Sequence, residues 1–375
     1  MSSTGWSPGA ERGAFIGMFL VLGQKYTSGA EVLFDERPKS RKMDLYDRER
    51  ELMDLEANVG RPLIILTGIR RIGKTSVLNV LLNESGIPFA LIDARSLKRN
   101  YGVEDLYRLV ARGMGSSLKS LHDILQNVKR IKIMGNEIEF AWKGKDYISL
   151  SELFDELNAK KVIIAVDEAQ LLRGPNSIEM KNAIAHSYDY DRNLTFILTG
   201  SEVGLLYDFL GTEDEKSPLF GRSFHEVRLE RFDEKTSRMF LEEGFDEAGI
   251  AVEENVIEEA VSVFDGVTGW LTYFGNQWAG GVRDIQYLRK KSISIAKSEI
   301  LNICEGRSKR FLTALRCIAR GADSWSRLRN CVEGAEGGIV SSSVLDNVIR
   351  SLEDLSLIKD YKFLDNIYGE AAKEL

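Results

Sequence analysis

The chain has 375 residues, 43% hydrophobic and 29% charged, with 57 acidic against 50 basic side chains and a formal net charge of −7. That length exceeds one ordinary core and calls for two or three domains of a globular protein. The acidic balance removes any whole-protein electrostatic case for nucleic acid and leaves only local basic patches. Three widely spaced cysteines (Cys304, Cys317, Cys331) without a C-x-x-C pattern predict inert thiols in a reducing, cytoplasmic interior. Three isolated histidines (His122, His186, His225) show no metal-ligand spacing.

The apolar run from Phe15 to Leu22 is far too short to span a bilayer, so no membrane association is expected. Residues 1–31 read as a weakly ordered extension. Patterned sequence begins near Leu33. Tyr46 and Arg48, flanked by Asp47 and Glu49, lie just upstream of the first strand and are candidates to border a nucleotide base; a charged helix start is the bland alternative.

An apolar strand pattern over 62–67 leads into Gly68-Ile69-Arg70-Arg71-Ile72-Gly73-Lys74-Thr75, which fits G-x-x-x-x-G-K-[S/T] at every fixed position, and a helical pattern follows from Ser76. Glycines at both ends let the backbone curl its N–H groups toward phosphate oxygens, and the helix start adds unpaired donors and partial positive charge. Lys74 then serves the β- and γ-phosphates, and Thr75 serves Mg²⁺. Residues 68–76 are therefore the candidate ATP/ADP-binding loop.

A second strand is predicted over 87–93, one or two helices over 103–125, an inserted hairpin over 129–142 and a helix over 150–160. The unbroken apolar run 162–166, after Lys161, is the signature of a strand buried on both faces, and it delivers Asp167 and Glu168 at its carboxyl end, where open parallel sheets bind ligands. Asp167 is the candidate Mg²⁺ partner and Glu168 the candidate for polarising water. After a helix over 177–190, a fourth strand (194–199) ends in Thr199, Gly200 and Ser201, candidates for sensing a γ-phosphate. Arg222 precedes a fifth strand (224–229) and is a candidate phosphate contact within its own subunit or a neighbour's, with a surface ion pair as the alternative.

Beyond residue 231 strands stop alternating with helices. The expectation is a core over 32–231, a helical lid over 232–305 interrupted by the glycines of 266–275, and a winged-helix unit over 306–375. Seven basic residues against Asp323 alone between Arg307 and Cys331 allow phosphate contact. The recognition helix (341–355) offers only Asn347 and Arg350 for base reading, which favours a protein partner over sequence-specific DNA.

Together, Asp47-Arg48-Glu49, the Gly-x-Arg-Arg-x-Gly-Lys-Thr loop, Val166-Asp167-Glu168-Ala169, Leu198-Thr199-Gly200-Ser201 and Pro218-Leu219-Phe220-Gly221-Arg222 resemble the archaeal ATPase family of AAA+-type P-loop proteins, often grouped with STAND signalling ATPases. The resemblance spans roughly 33–370. It implies an α/β P-loop NTPase fold with a parallel five-stranded sheet in order 5-1-4-3-2, a helical lid and a winged helix. It also implies Asp167 on Mg²⁺, Glu168 as the base, and Thr199 or Ser201 as first sensor. Two departures stand out: Thr268 occupies the place of a lid proline, and 266–275 lacks a second-sensor arginine. These predict an ATPase that turns over slowly as a conformational switch. A nucleotide-holding scaffold and a DNA-associated ATPase acting through the winged helix are the alternatives; oligomeric state is left open.

Overall fold

The computed structural model describes residues 33–375 except 99, 116–117, 127–130, 135–136 and 141–147. The 1–31 extension and Trp142 of the expected hairpin lie outside the described residues.

The amino-terminal part alternates strands with helices: α1 (Glu49–Asn58), β1 (Leu63–Thr67), α2 (Lys74–Glu84), β2 (Phe89–Asp93), α3 (Val103–Gly115), α4 (Leu118–Leu125), β3 (Ile131–Met134), β4 (Glu137–Phe140), α5 (Leu150–Leu157), β5 (Val162–Asp167), α6 (Ser177–Tyr190), β6 (Leu194–Gly200), α7 (Val203–Leu210) and β7 (His225–Arg228). Five of these strands form one parallel sheet in the order β2-β5-β6-β1-β7, while β3 and β4 pair separately as an antiparallel hairpin. Numbering only the sheet strands, that order read from the other edge is 5-1-4-3-2, as the resemblance implies.

Burial explains the strand sequences. The three central strands are buried at every position, whereas the edge strands β2 and β7 carry part-exposed residues. A strand covered by helices on both faces has no solvent side for a polar alternation. One apolar layer joins Leu63 and Ile65 to Tyr107, Phe154 and Phe196. The other joins Ile64 and Leu66 to Leu52, Val77, Leu78 and Leu81 of α1 and α2. Parallel registers carry the carboxyl ends together: Leu66 lies beside Thr199, Val166 beside Leu198, and Asp93 beside Asp167. The P-loop strand and the Asp167 strand are therefore separated only by β6, so Thr199 is delivered between them.

The carboxyl-terminal part is helical: α8 (Glu234–Glu247), α9 (Glu254–Phe264), α10 (Thr268–Ala279), α11 (Ile285–Ile303), α12 (Arg310–Ala319), α13 (Trp325–Glu336) and α14 (Ser342–Asp354), then the two-stranded wing β8 (Ile358–Lys359) and β9 (Lys362–Phe363), and α15 (Asn366–Lys373). One expectation is corrected in part. Gly266, at φ 70°, lies in the break between α9 and α10, but α10 runs unbroken through Gly269 and Gly275. A Cβ at Gly275 would stand 2.3 Å from the Phe34 ring, and one at Gly244 of α8 equally close. These glycines admit an aromatic side chain between two helices; they do not end one. The lid and winged helix share one core. Phe34, Phe240, Phe264 and Trp270 join Leu315, Leu345 and Ala371 in one continuous apolar cluster. Helices α7 and α15 are additions that the sequence pattern did not disclose.

The cysteine expectation is overturned as well. Cys317 and Cys331 form a disulfide with Cα atoms 5.9 Å apart and a sequence separation of 14. Linear spacing hid the pair because the turn between α12 and α13 folds the last turn of one helix onto the second turn of the other. Cys304 is a buried free thiol, pushed up to about 11 by burial. A loop of this length lowers unfolded-chain entropy by about 3 kcal/mol. Cys317→Ser should therefore lower the free energy of unfolding by about 2–3 kcal/mol in a denaturant titration, and reductant should do the same to the wild type. Superimposable curves would mean the two thiols do not pair.

Candidate nucleotide-binding site

The loop between β1 and α2 has the conformation its glycines predict. Gly68 has φ of 145°, and a Cβ there would stand 2.8 Å from the Leu229 carbonyl oxygen, so only glycine lets the loop pass β7 this closely. Gly73, at φ 99°, opens α2 with no side-chain cap, and no acidic residue occupies the first turn. The first-turn N–H groups are therefore available to an anion. Lys74 is 5% exposed, and its Nζ donates to the Gly68 and Ile69 carbonyls at 2.8 and 2.9 Å. Burial lowers its pKa to about 8, against the raising influence of Glu168 and Asp167. A cationic amine tucked under a ring of N–H groups fits a polyphosphate.

The two carboxylates, at the end of β5, lie one strand away from the P-loop strand, across β6. Asp167, 2% exposed, accepts from Thr75 Oγ1 at 3.2 Å and Thr199 Oγ1 at 2.5 Å, and pairs with Arg95 at 3.1 Å. Burial raises its pKa, while Thr199, Arg95 and Thr75 pull the other way. Thr75 and Asp167 together present oxygen ligands of the kind Mg²⁺ takes. Glu168 sits in the left-handed region (φ 54°, ψ 49°), a costly backbone for a non-glycine residue and a feature that concentrates at functional sites. Its carboxylate accepts from Ser201 Oγ at 2.7 Å and from the Gln170 amide, and its N–H donates to Thr199 Oγ1 at 3.0 Å. Burial would raise its pKa, but Lys74, Gln170, Ser201 and Arg70 outweigh it and hold the group ionised. Thr199 and Ser201 thus brace the carboxylates.

Lys74, Thr75, Glu168 and Gln170 face one cavity of about 450 Å³, lined also by Arg70, Arg71, Arg95, Thr268 and Glu299. Sequence reasoning missed Arg95 and Glu299. Arg95 follows the carboxyl end of β2 and also pairs with Asp93 at 2.7 Å; an arginine just after a parallel strand was the available signal. Glu299 lies on α11, and nothing local marks it.

The variable residues of the P-loop reach out of the core. Arg71 ion-pairs with Glu299, stacks its guanidinium 4.1 Å from the Trp270 ring, and accepts the Gly269 N–H at its carbonyl at 2.8 Å. Tyr368 of α15 donates its hydroxyl to the same Glu299, and Trp270 Nε1 donates to Asp365, the α15 cap, at 2.8 Å. Arg70 pairs with Glu202 at 3.7 Å. One cluster therefore ties the phosphate loop to the lid and to the last helix.

The remaining candidates divide. Arg48, 5% exposed, donates to the Glu230 carbonyl at 2.9 Å and to the Ile72 carbonyl and Thr268 hydroxyl at 3.4 Å, and lies 4.6 Å from the Phe232 ring. Tyr46 packs edge-on against Phe232 and Phe240 and bonds Glu243 at 3.0 Å. Both line the cavity, each anchored to the lid. Arg222 does not reach its own cavity: Asp189 holds it at 2.6 Å and the Pro218 carbonyl accepts from it. The ion-pair alternative describes it within one chain.

The family described as "ATPase domain predominantly from Archaea" matches residues 45–274, and the C-terminal winged helix-turn-helix domain of MCM proteins matches 305–367. The Walker-type ATPase PABY2304 of Pyrococcus abyssi shares 35% identity and a TM-score of 0.78, over 91% of this chain and 100% of that one. Cdc6p from Pyrobaculum aerophilum (14% identity, TM-score 0.46, 91% of this chain and 97% of that one) and Orc1 of Aeropyrum pernix in complex with DNA (15%, 0.43, 88% and 93%) are more distant. No protein of curated function matches significantly. A complete P-loop on a five-stranded parallel sheet, matched over most of its length, places this chain in the family of ATPase domains found predominantly in Archaea.

Proposed function

We propose that the protein is a Mg²⁺-dependent ATPase that hydrolyses ATP slowly and uses its nucleotide state to reposition the lid and winged helix. The observation that carries this reading is the cavity in which Lys74, Thr75 and Glu168 meet Arg71, whose partner Glu299 on α11 also holds Tyr368 of α15. Residues 32–231 act as the core and 232–305 with 306–375 as the moving part.

In this reading Lys74 leaves the Gly68 and Ile69 carbonyls for the β- and γ-phosphates, joined by the α2 N–H groups. Thr75 and Asp167 would hold Mg²⁺, which when bound neutralises phosphate charge. Glu168, kept ionised by Lys74, accepts a hydrogen bond from the attacking water and orients it. Ser201 and Gln170 fix that carboxylate, and Thr199 fixes both carboxyl-bearing residues at once. Arg95 and Arg70 supply positive charge that 266–275 lacks. Tyr46 and Arg48 border the nucleotide from the lid side, and Arg222 serves only where a second subunit presents it.

The clasp accounts for slow turnover. Arg70 and Arg71 cannot serve both phosphate oxygens and Glu202 or Glu299, so ATP competes with the lid for them. Loss of a half-buried ion pair is worth about 1 kcal/mol, or about fivefold in rate. Glu299→Ala should therefore raise steady-state turnover about fivefold and speed proteolysis within 305–375. Unchanged values on both counts would remove the clasp from the mechanism.

Of the seven basic residues between 307 and 331, Arg310 pairs with Glu336, Arg327 with Asp323 and Arg329 with Glu333. This spending of charge supports a protein partner for the winged helix over DNA, in the manner of a STAND-type signalling ATPase; salt-sensitive DNA binding lost on reversing Lys309 and Arg320 would reverse that preference. No described helix is long and apolar enough to cross a membrane, and an intracellular site follows from the ATP requirement; intracellular disulfides occur in hyperthermophiles. ATP turnover by the purified protein with Mg²⁺ and with chelator tests the enzyme reading. Bound ATP with no turnover in either would favour the scaffold.

A further inference from the structure

Strand order decides which side chains can flank the phosphates. In β2-β5-β6-β1-β7, Lys74 follows β1 and Arg95 follows β2, with the carboxyl ends of β6 and β5 between them. The register of β2 and β5 sets Asp93 beside Asp167. Asp93 then grips Arg95: its Oδ1 accepts from the Arg95 backbone N–H at 3.0 Å and from Nε at 2.7 Å, and its Oδ2 accepts from Nη2 at 2.9 Å. A two-pronged carboxylate contact of this kind fixes the direction of a guanidinium. The Arg95 side chain is still 53% exposed and lines the nucleotide cavity.

The same Nη2 stands 3.1 Å from Asp167 Oδ2, the oxygen that also accepts from Thr75 Oγ1 at 3.2 Å. Thr199 Oγ1 takes the other oxygen, Oδ1, at 2.5 Å. Arg95 therefore sits on the carboxylate oxygen that, with Thr75, would face Mg²⁺. Like charges repel strongly at contact distance, so a dication on Oδ2 weakens the hold of Asp167 on Arg95 and leaves Asp93 as its pivot. Other arginines of the cavity are engaged elsewhere: Arg48 with the Ile72 and Glu230 carbonyls, Arg70 with Glu202, and Arg71 with Glu299.

From this geometry we infer that Arg95 is a transition-state-stabilising arginine supplied by its own chain. When Mg²⁺ takes Asp167, the guanidinium turns about Asp93 and bonds γ-phosphate oxygens on the flank opposite Lys74. The role presupposes the ATP hydrolysis proposed for this site. In that step the water oxygen bonds the γ-phosphorus while the β–γ bridging bond breaks, ADP leaves with the bridging oxygen, and the water proton passes to Glu168. Arg95 exchanges no atom; it bonds the equatorial oxygens over which charge spreads. A planar fork suits those oxygens better than an ammonium does.

The test compares the full chain with Arg95→Ala and Arg95→Lys, using ADP with aluminium fluoride to mimic the transition state and Mn²⁺ paramagnetic resonance to read the metal. Arg95→Ala should bind Mg²⁺–ATP within a few-fold of the wild type and hold Mn²⁺ in its ADP complex at least as tightly. It should lose at least about 100-fold both in affinity for ADP–aluminium fluoride and in single-turnover rate, the scale of one preorganised donor. Arg95→Lys should recover only part of each loss. Trapping and rate in Arg95→Ala equal to those of the wild type would overturn the inference while leaving the ATPase reading intact. Losses of Mn²⁺ and ATP affinity as large as the loss of trapping would also overturn it, reducing Arg95 to a brace for Asp167. A wild type that neither hydrolyses ATP nor traps ADP–aluminium fluoride would remove the ATPase reading and this role with it.

Discussion

Lys74→Ala is expected to abolish ATP binding at any concentration that saturates the wild type. Two charge-assisted hydrogen bonds to phosphate oxygens contribute about 1.5–3 kcal/mol each, so their joint loss weakens affinity by at least about 100-fold. The variant should nevertheless fold. Burial depresses Lys74 to about 8, which means that the empty loop carries this amine at a cost, and alanine relieves it. Isothermal titration with ATP, paired with thermal melting, separates the two effects. Tight binding by the variant would show that the amine belongs to the loop's own structure, bonded to Gly68 and Ile69, and not to a ligand.

Glu168→Gln should keep ATP and lose hydrolysis. The amide retains the length of the side chain and can still accept from Ser201, 2.7 Å away in the wild type, so nucleotide affinity should stay within a few-fold. What disappears is the ionised acceptor for water. General-base groups of this kind contribute about 10²–10⁴ in rate. Single-turnover hydrolysis of preloaded ATP reads that factor directly. Equal rates in variant and wild type would sink the assignment and leave Glu168 as a brace for the α7 end of the sheet.

Much of this site is legible in the sequence because its parts are local. The P-loop is a contiguous turn whose glycines are required by φ, and Asp167-Glu168 ends a strand whose unbroken apolar run declares burial on both faces. Even the separation of these strands by β6 follows from the resemblance. What stayed hidden depends on distant packing. Glu299 and Tyr368 sit on helices with no local mark and meet Arg71 only because the lid and winged helix share one core. Gly275 reads as a helix breaker until Phe34 fills the space above it. Cys317 and Cys331 are neighbours only after a helical turn is folded. For Arg222 the structure selects, within one chain, the ion pair that the sequence left as the alternative, with Asp189.

The clasp gives the departures of the lid a physical meaning. With Thr268 at the start of α10 and no arginine following it, the lid has little of its own to offer a phosphate. The cavity is lined instead by Arg95 and, in the P-loop, by Arg70 and Arg71, the last two already paired with Glu202 and Glu299. Under the proposed function, binding energy from ATP would be divided between holding the nucleotide and opening the contact with α11 and α15, which would couple the two events thermodynamically.

Amide hydrogen exchange across α11 and α15 tests that coupling most directly, comparing Glu168→Gln without nucleotide, with ADP and with Mg²⁺–ATP. Faster exchange at 285–303 and 366–373 in the ATP state alone is the predicted result, and Lys74→Ala should abolish the difference. Identical exchange in all three states, with ATP demonstrably bound, would contradict a nucleotide-driven release of the winged helix.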